Sequence, residues 1–419
     1  MASGAAPGTL ADAHDQSQHT SDPPAPTPPS RRVLHVAAGN LYGGVEKVLA
    51  TVAEFRNSSP DLEHLFAAHF KGRLTKELAR SGASVHFLAN VRLGRPWTIL
   101  KARRRLSELL ERERIDLVIS HSPWCHVIAA PVAARRRVPV VFWLHGFATG
   151  THWLERWARL SPPRLVICNS HCVERTSRFL FPTAPATVIY TPVSERTAAP
   201  ASSRERIRAE LATAPDATVV IQVSRFEEWK GHAQHLEALG RLKDLSGWVC
   251  WLVGGAQRSP EFAFAQRLRE QADHLGILDR LRFTGERGDV TDLMLAADVF
   301  CQPNLGPEPF GIVFIEALRC GIPVVTTAQG GGQEIVNDAC GILVPPGDPE
   351  ALANNLAALI KNPPLRRTLG AAGGARADSL CNPLRQMGVL DIALKDALSR
   401  SPDSTTRPST PTIRFDEPK

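Results

Sequence analysis

The segment QPNLGPEPFGIVFIEALRCGIPVV, Gln302 to Val325, sets two carboxylates around a helix start in an order that can do chemistry. The chain leaves an apolar strand at Gln302, crosses a loop of Pro, Asn and Gly, and enters an apolar helical pattern over about Phe310 to Leu318. A helix beginning there turns the free amides of Gly311, Ile312 and Val313 out of its first turn, and the aligned peptide dipoles favour an anion at that end. A diphosphate fits such a site. Glu308 stands in the loop at its mouth, and Glu316, eight residues on, lies about two turns inside the helix. Carboxylates so placed reach sugar hydroxyls at one end of a nucleotide sugar and ribose hydroxyls at the other. The structural alternative is a solvated loop acid and an acid on a helix face.

Other segments put polar groups at the ends of apolar runs, where open α/β sheets bind ligands. In VSRFEEWKG, Arg225 and Lys230 follow a strand pattern. Arg offers a planar fork and Lys a compact charge, and both suit a leaving diphosphate whose charge grows in the transition state. AAGNLYGGVEKVLA leads from a first strand through Gly43 and Gly44 into a helix, so that phosphate or acceptor can approach the backbone closely. It lacks the spacing of a dinucleotide fingerprint and the Lys-Ser/Thr of a P-loop, and a plain tight turn is the alternative. VVFWLHGF places His145 at a strand end, CNSHC places Asn169, Ser170 and His171 after another, and LVGGAQ sets Gly254 and Gly255 at a third, either lining a cleft or making a βα turn. No Asp-x-Asp pair is present to hold a metal on a donor diphosphate, which leaves the charge work to Arg225, Lys230 and helix amides. His232 and His235, without a third ligand in view, read as surface residues.

The glutamate pair within EPFGIVFIE resembles the signature of the retaining glycosyltransferases of family four, which have the GT-B fold. The stretches FTGERGDVTDLMLAADVF before it and TTAQGGGQEIVNDACGILVPPGDPEALA after it resemble the same family, as does VSRFEEWKG. The resemblance runs from about Val33 to Leu369. It implies two doubly wound Rossmann-like domains facing across a cleft, with a nucleoside diphosphate sugar, UDP- or GDP-linked, as donor substrate and no metal or other cofactor. It implies that Glu308 positions the donor sugar, that Glu316 binds ribose and that Arg225 and Lys230 hold the diphosphate. The amides of Phe310, Gly311, Ile312 and Val313, with Gly43, Gly44 and Gly254, would complete the donor site. His145 matches the histidine that faces the donor sugar, although the acidic residue that usually follows it is here Gly146. Two other readings remain: a nucleotide-sugar epimerase of the same architecture, and a sugar-nucleotide-binding regulator without turnover.

The elements that would position these residues are legible as apolar runs alternating with helical patterns. Strands are expected at Val33–Ala37, His64–Ala68, Val85–Leu88, Leu117–Ser120, Val138–Trp143, Leu165–Cys168 and Thr187–Tyr190. After a Pro/Ala/Ser-rich break they resume at Thr218–Val223, Trp248–Val253, Leu281–Thr284, Val299–Gln302, Pro323–Thr326 and Gly341–Val344. This divides the chain into a Pro-rich disordered tail at 1–30, an acceptor-side domain at 31–192, a linker at 193–203, a donor domain at 204–380, a helix at 381–400 returning to the first domain, and a disordered tail at 401–419.

With 43% apolar and 22% charged residues the composition is that of a globular protein. The eight cysteines form no Cys-x-x-Cys and read as buried apolar residues rather than a zinc site or disulfide framework. The absence of a long apolar run and of a basic-then-apolar start points to a cytoplasmic protein. Charge is uneven: residues 31–195 hold 24 Lys and Arg against 12 Asp and Glu, and residues 201–395 hold 20 against 23. Arg103–Arg105, Arg135–Arg137 and the segment HWLERWARL, with Trp153 and Trp157, give the basic half the makings of a contact with an anionic membrane or a lipid-linked acceptor. A solvated basic face with both tryptophans in the core is the alternative. No nucleic-acid-binding module is recognised.

Overall fold

The computed structural model describes residues 30–40, 43–92, 94–194, 202–256 and 259–400. Both expected disordered tails, apart from Ser30, and most of the expected linker lie outside the described residues.

The first sheet contains β1 (Arg31–Ala37), β2 (Leu62–Ala68), β3 (Val85–Phe87), β4 (Leu117–Ser120), β5 (Val140–Leu144), β6 (Leu165–Cys168) and β7 (Ala186–Val188). Its helices are α1 (Gly44–Glu54), α2 (Arg73–Arg80), α3 (Pro96–Arg112), α4 (Pro123–Arg135), α5 (Trp153–Ala158) and α6 (His171–Leu180). The strands are parallel in the order 3-2-1-4-5-6-7. The second sheet contains β8 (Thr218–Val223), β9 (Trp248–Val253), β10 (Leu281–Gly285), β11 (Val299–Gln302), β12 (Val324–Thr327) and β13 (Gly341–Val344), in the order 10-9-8-11-12-13. Around it lie α7 (Ser202–Glu210), α8 (His232–Gly240), α9 (Ser259–His274), α10 (Val290–Ala296), α11 (Ile312–Arg319), α12 (Gly332–Ile335), α13 (Pro349–Lys361) and α14 (Pro363–Cys381). The last helix is α15 (Pro383–Ser399).

Every strand run read from the sequence is a strand, with ends shifted by at most two residues. Strands buried on both faces read as continuous apolar runs, as in WVCWLV of β9 and VVFWL of β5. Four helices start on the same device: Ser122, Asp348, Asn362 and Asn382 each precede a proline and accept the amide three residues on. The side chain satisfies an orphan donor, and the proline sits where no amide proton is needed.

Each sheet reverses its winding between its central strands, β1 and β4 in one and β8 and β11 in the other, so crevices open beyond their carboxyl ends. α15 packs Met387, Leu390, Leu394 and Ala397 into the first sheet's core beside Val48, Leu49 and Val52 of α1. The chain therefore crosses between the sheets twice. The crossings lie side by side, with the Val193 amide donating to the Cys381 carbonyl at 3.2 Å.

His232 and His235 are buried and not surface residues. They lie on the face of α8 that meets the sheet, where the His235 ring bonds Gln222 Oε1 at 2.8 Å and the His232 ring bonds Ser224 Oγ at 3.2 Å. Burial pushes both rings down to about 3. Six of the cysteines are buried, and Cys172 and Cys320 are half-buried.

Candidate functional site

A cavity of about 690 Å³ lies where the carboxyl ends of the two sheets face each other. Gly43, Gly44 and His145 line it from the first domain, and Arg225, Lys230, Gly254, Glu308, the segment Phe310–Val313 and Glu316 line it from the second. The twelve residues assigned to the donor site from the sequence thus lie around one space, with Asn169 and Gly255, while Ser170 and His171 lie outside its lining.

The floor is the amino end of α11. Gly311, its N-cap, has φ +103°, and a Cβ there would stand 2.4 Å from the Phe314 ring, so glycine is what lets the loop enter the helix at this angle. Phe310 is buried and stacks on Tyr190 with ring centres 5.7 Å apart. Opposite stands the amino end of α1, where Glu46 Oε2 accepts the Gly43 amide at 2.9 Å. A Cβ on Gly44 would lie 3.6 Å from Ile312 Cδ1, so two helix starts meet across the cleft. Burial raises the Glu46 carboxyl, an effect opposed by the helix amides and by the charge of Arg225.

Glu308 is 12% exposed, and its Oε2 accepts from Lys230 Nζ at 2.6 Å, Asn304 Nδ2 at 3.1 Å and Gln302 Nε2 at 3.3 Å. Lys230 lies over the Trp229 ring, 3.9 Å from its centre. Arg225, at the end of β8, pairs with Glu227 at 2.6 Å and Glu261 at 3.7 Å. Gly254 ends β9 at φ +136°, and a Cβ there would lie 2.0 Å from the Ser224 carbonyl oxygen, so any side chain would force the two strand ends apart. Asn169 Nδ2 donates to the His145 carbonyl at 3.2 Å, whereas His171 is exposed beside Glu174.

Glu316 is split between two roles. Its Oε1 accepts from Lys47 Nζ of α1 at 2.5 Å, and its Oε2 is buried without a partner among the described residues. An unpaired buried carboxylate oxygen is costly unless a ligand completes it. Beyond this pair a second space of about 510 Å³ continues between α1, α10 and α11.

Sequence reasoning missed Lys47, whose local signal is only that of a basic residue in a first helix. It also missed Glu334 of α12, which accepts the amides of His171 and Cys172 at 2.9 and 2.8 Å and the Tyr190 hydroxyl at 3.1 Å. A carboxylate of the second domain thereby caps α6 of the first. Among the described residues no cluster of three or more His, Cys, Asp or Glu is arranged to hold a metal, and no helix is long and apolar enough to cross a membrane.

The sequence profile of glycosyl transferases group 1 matches residues 203–376, and that of glycosyltransferase family 4 matches residues 42–196. A phosphatidyl-myo-inositol mannosyltransferase of Mycobacterium leprae is 38% identical over 158 residues, 37% of this chain and 40% of the relative. The lipopolysaccharide core biosynthesis glycosyltransferase LpsE of Rhizobium meliloti is 34% identical over 167 residues, 40% of this chain and 46% of the relative. The chain thus spans less than half the length of these curated relatives. Anabaena HepE, solved in complex with UDP-glucose, superposes with a TM-score of 0.76 at 25% identity, covering 87% of this chain and 99% of that one. A glycosyltransferase of Rickettsia africae superposes with a TM-score of 0.76 at 21% identity, covering 89% and 100%. The fold is the two-domain GT-B fold.

Proposed function

Because the chain belongs to the group 1 glycosyltransferases of family four, we propose that it transfers a sugar from a nucleoside diphosphate sugar to a hydroxyl acceptor with retention of anomeric configuration. The observation that carries this reading is the single cavity onto which the α11 amino end, Arg225, Lys230, Glu308 and Glu316 all open. Its volume is in the range of small-molecule sites, roughly 300–1,000 Å³.

In this reading the diphosphate rests on the first-turn amides of α11, between Arg225 and Lys230. Glu308 orients the donor sugar from the loop, Lys230 bridging it to the phosphate. The partnerless Oε2 of Glu316 accepts ribose hydroxyls. Retaining glycosidases use a carboxylate nucleophile with two carboxyl groups about 5–5.5 Å apart. Here Glu308 is already held by a lysine and two amides, which suits orientation better than attack. The acceptor hydroxyl instead approaches from the leaving-group face: its oxygen bonds to the anomeric carbon as the bond to the phosphate oxygen breaks, and its proton passes to the departing phosphate. The barrier falls through orientation and through stabilisation of charge on the leaving group, supplied by Arg225, Lys230 and amides without a metal.

The acceptor is a glycan or a lipid-linked hydroxyl reached from the first domain. HepE, whose solved complex contains UDP-glucose, favours a UDP-sugar, and the mannosyltransferase and lipopolysaccharide relatives favour an envelope glycolipid acceptor. In support, α3 and α5 leave Trp97 64% and Trp153 54% exposed, with Arg104 on α3 and Arg156 on α5 also open to solvent. An aromatic and basic surface of this kind suits an anionic membrane. Arg103 contributes less to it, its guanidinium being turned onto the Val127 carbonyl at 2.8 Å.

Thermal-shift screening of UDP-, GDP- and ADP-sugars tests the donor reading. A ligand at a hundred times its dissociation constant stabilises by about 2.7 kcal/mol, and no shift with any of them would remove the reading.

A further inference from the structure

Behind His145 lies a feature that sugar transfer does not by itself require. His64 of β2, His35 of β1, His121 after β4 and His145 after β5 form a continuous chain across four adjacent strands. His64 Nδ1 meets His35 Nε2 at 2.9 Å, His35 Nδ1 meets His121 Nε2 at 3.0 Å, and His121 Nδ1 meets His145 Nε2 at 2.9 Å. By the alternation of side chains along a strand, His35 shares its face with Val33 and Ala37, the face that α1 and α15 cover. Three of the rings are buried, and only His145 reaches the cavity wall. The rings bond in sequence and do not converge on a point, and no metal-holding group is found among the described residues.

All four rings are neutral at neutral pH. Burial pushes His145 to about 3 and His64 to about 4, and burial with the neighbouring rings holds His35 and His121 far below the ordinary value. A neutral imidazole has one N–H and one lone pair, so a proton assigned on one ring dictates the next, and the whole chain has two registers. In one, every proton is on Nε2, and His64 ends the chain with an N–H that has no acceptor, because its Nε2 is buried and partnerless among the described residues. In the other, every proton is on Nδ1, the deep end carries only a bare lone pair, and His145 keeps an N–H on Nδ1. Orphaned buried N–H groups are rarer than under-satisfied acceptors, which favours the second register.

We propose that His64, His35 and His121 are positioning residues that hold His145 with its proton on Nδ1, so that this ring meets the bound donor as a hydrogen-bond donor of fixed direction. The proposal rests on the reading of the cavity as the donor site. The chain is not a proton conduit, because its deep end has no partner to deliver or receive a proton. Its effect is alignment: each ring donates to the next, and successive bonds polarise one another towards the cleft.

The test uses the full-length protein labelled with ¹⁵N-histidine. Long-range proton–nitrogen spectra at neutral pH are expected to show all four rings neutral and protonated on Nδ1. Protonation of His145 on Nε2, or averaging between its tautomers, would overturn the proposal. Two variants separate alignment from packing. His121→Phe keeps a ring in the stack but supplies no proton, whereas His121→Gln loses the ring and supplies an amide N–H. With UDP-glucose and GDP-glucose as probes, nucleotide release in His121→Phe should fall about tenfold in kcat with KM little changed, and His121→Gln should stay near wild type. Normal turnover in the Phe variant with loss in the Gln variant would identify a packing role and sink the idea. If the wild-type protein turns over neither probe and no UDP-, GDP- or ADP-sugar raises its melting temperature, the donor-site reading fails, while the spectra still decide the register of the chain.

Discussion

At the scale of single residues the two glutamates separate binding from turnover. A contact that strengthens as the sugar becomes cationic lowers the barrier, whereas one equal in ground and transition states changes affinity alone. Glu308→Gln is therefore expected to depress kcat about ten- to a hundredfold while calorimetric binding of free nucleoside diphosphate stays near wild type. Glu316→Gln should weaken donor and nucleotide binding by a similar factor. Wild-type turnover and affinity in both variants would make the carboxylates scaffold. These residues could be read from the sequence because their neighbours along the chain carry the signal: a loop, a glycine and a helix start within ten positions. The four-histidine chain could not, since His35, His64, His121 and His145 come from four strands and meet only through the register of the sheet. His232 and His235 misled for a related reason, as a short helix of mixed composition does not declare which face it buries.

At the scale of elements, α11 depends on its N-cap. Gly311→Ala places a methyl carbon at a positive φ and against Phe314, so the loop must shift at the very turn that offers its amides to the ligand. The expected outcome is a loss of about 1–3 kcal/mol in urea unfolding together with weaker nucleotide binding, and normal values for both would show that the turn adapts. α15 belongs to the first domain by packing and to the second by chain order. Leu394 lies fully buried in the core that α1 also covers, and Leu394→Ala should cost about 2–5 kcal/mol. Hydrogen exchange would locate the loss in β1, β2 and β4, and acceleration confined to the second sheet would contradict this placement. The helix itself was legible from the apolar spacing of Met387–Leu398. Its carboxylate tie to Ser59, Asp391 Oδ1 to Ser59 Oγ at 2.6 Å, was not, because it joins positions 332 residues apart.

At the scale of the whole molecule, buried neutral histidines set the response to acid. His35, His64, His121 and His145, with His69, His126, His232 and His235, are all held below their ordinary value by burial. The unfolded chain takes up protons as pH falls through about 6.5, whereas the folded one holds His64, His69, His126, His145, His232 and His235 neutral down to about 3–4 and His35 and His121 neutral well below the ordinary value, so stability is present above about pH 6.5 and lost as pH falls below it. Each ring contributes up to about 1.4 kcal/mol per pH unit. The urea midpoint should thus fall steeply between pH 6.5 and 5, above the range where most carboxylates titrate, and a flat profile there would show that these rings are not held neutral. The uneven charge of the two halves acts at the same scale: sedimentation with anionic vesicles should exceed that with neutral ones and weaken with salt, and equal binding would remove the electrostatic part of the membrane reading. The place of α15 has one further consequence, for manufacture. A ribosome delivers the chain in order, and domains ordinarily fold as they emerge. Here the sheet made first waits for a helix made after the whole second sheet, so the second domain can finish while the first still shows the apolar strip that Met387, Leu390 and Leu394 will cover. The exposed apolar surface during synthesis therefore belongs to the older half of the nascent chain, and it persists until the second sheet has been made.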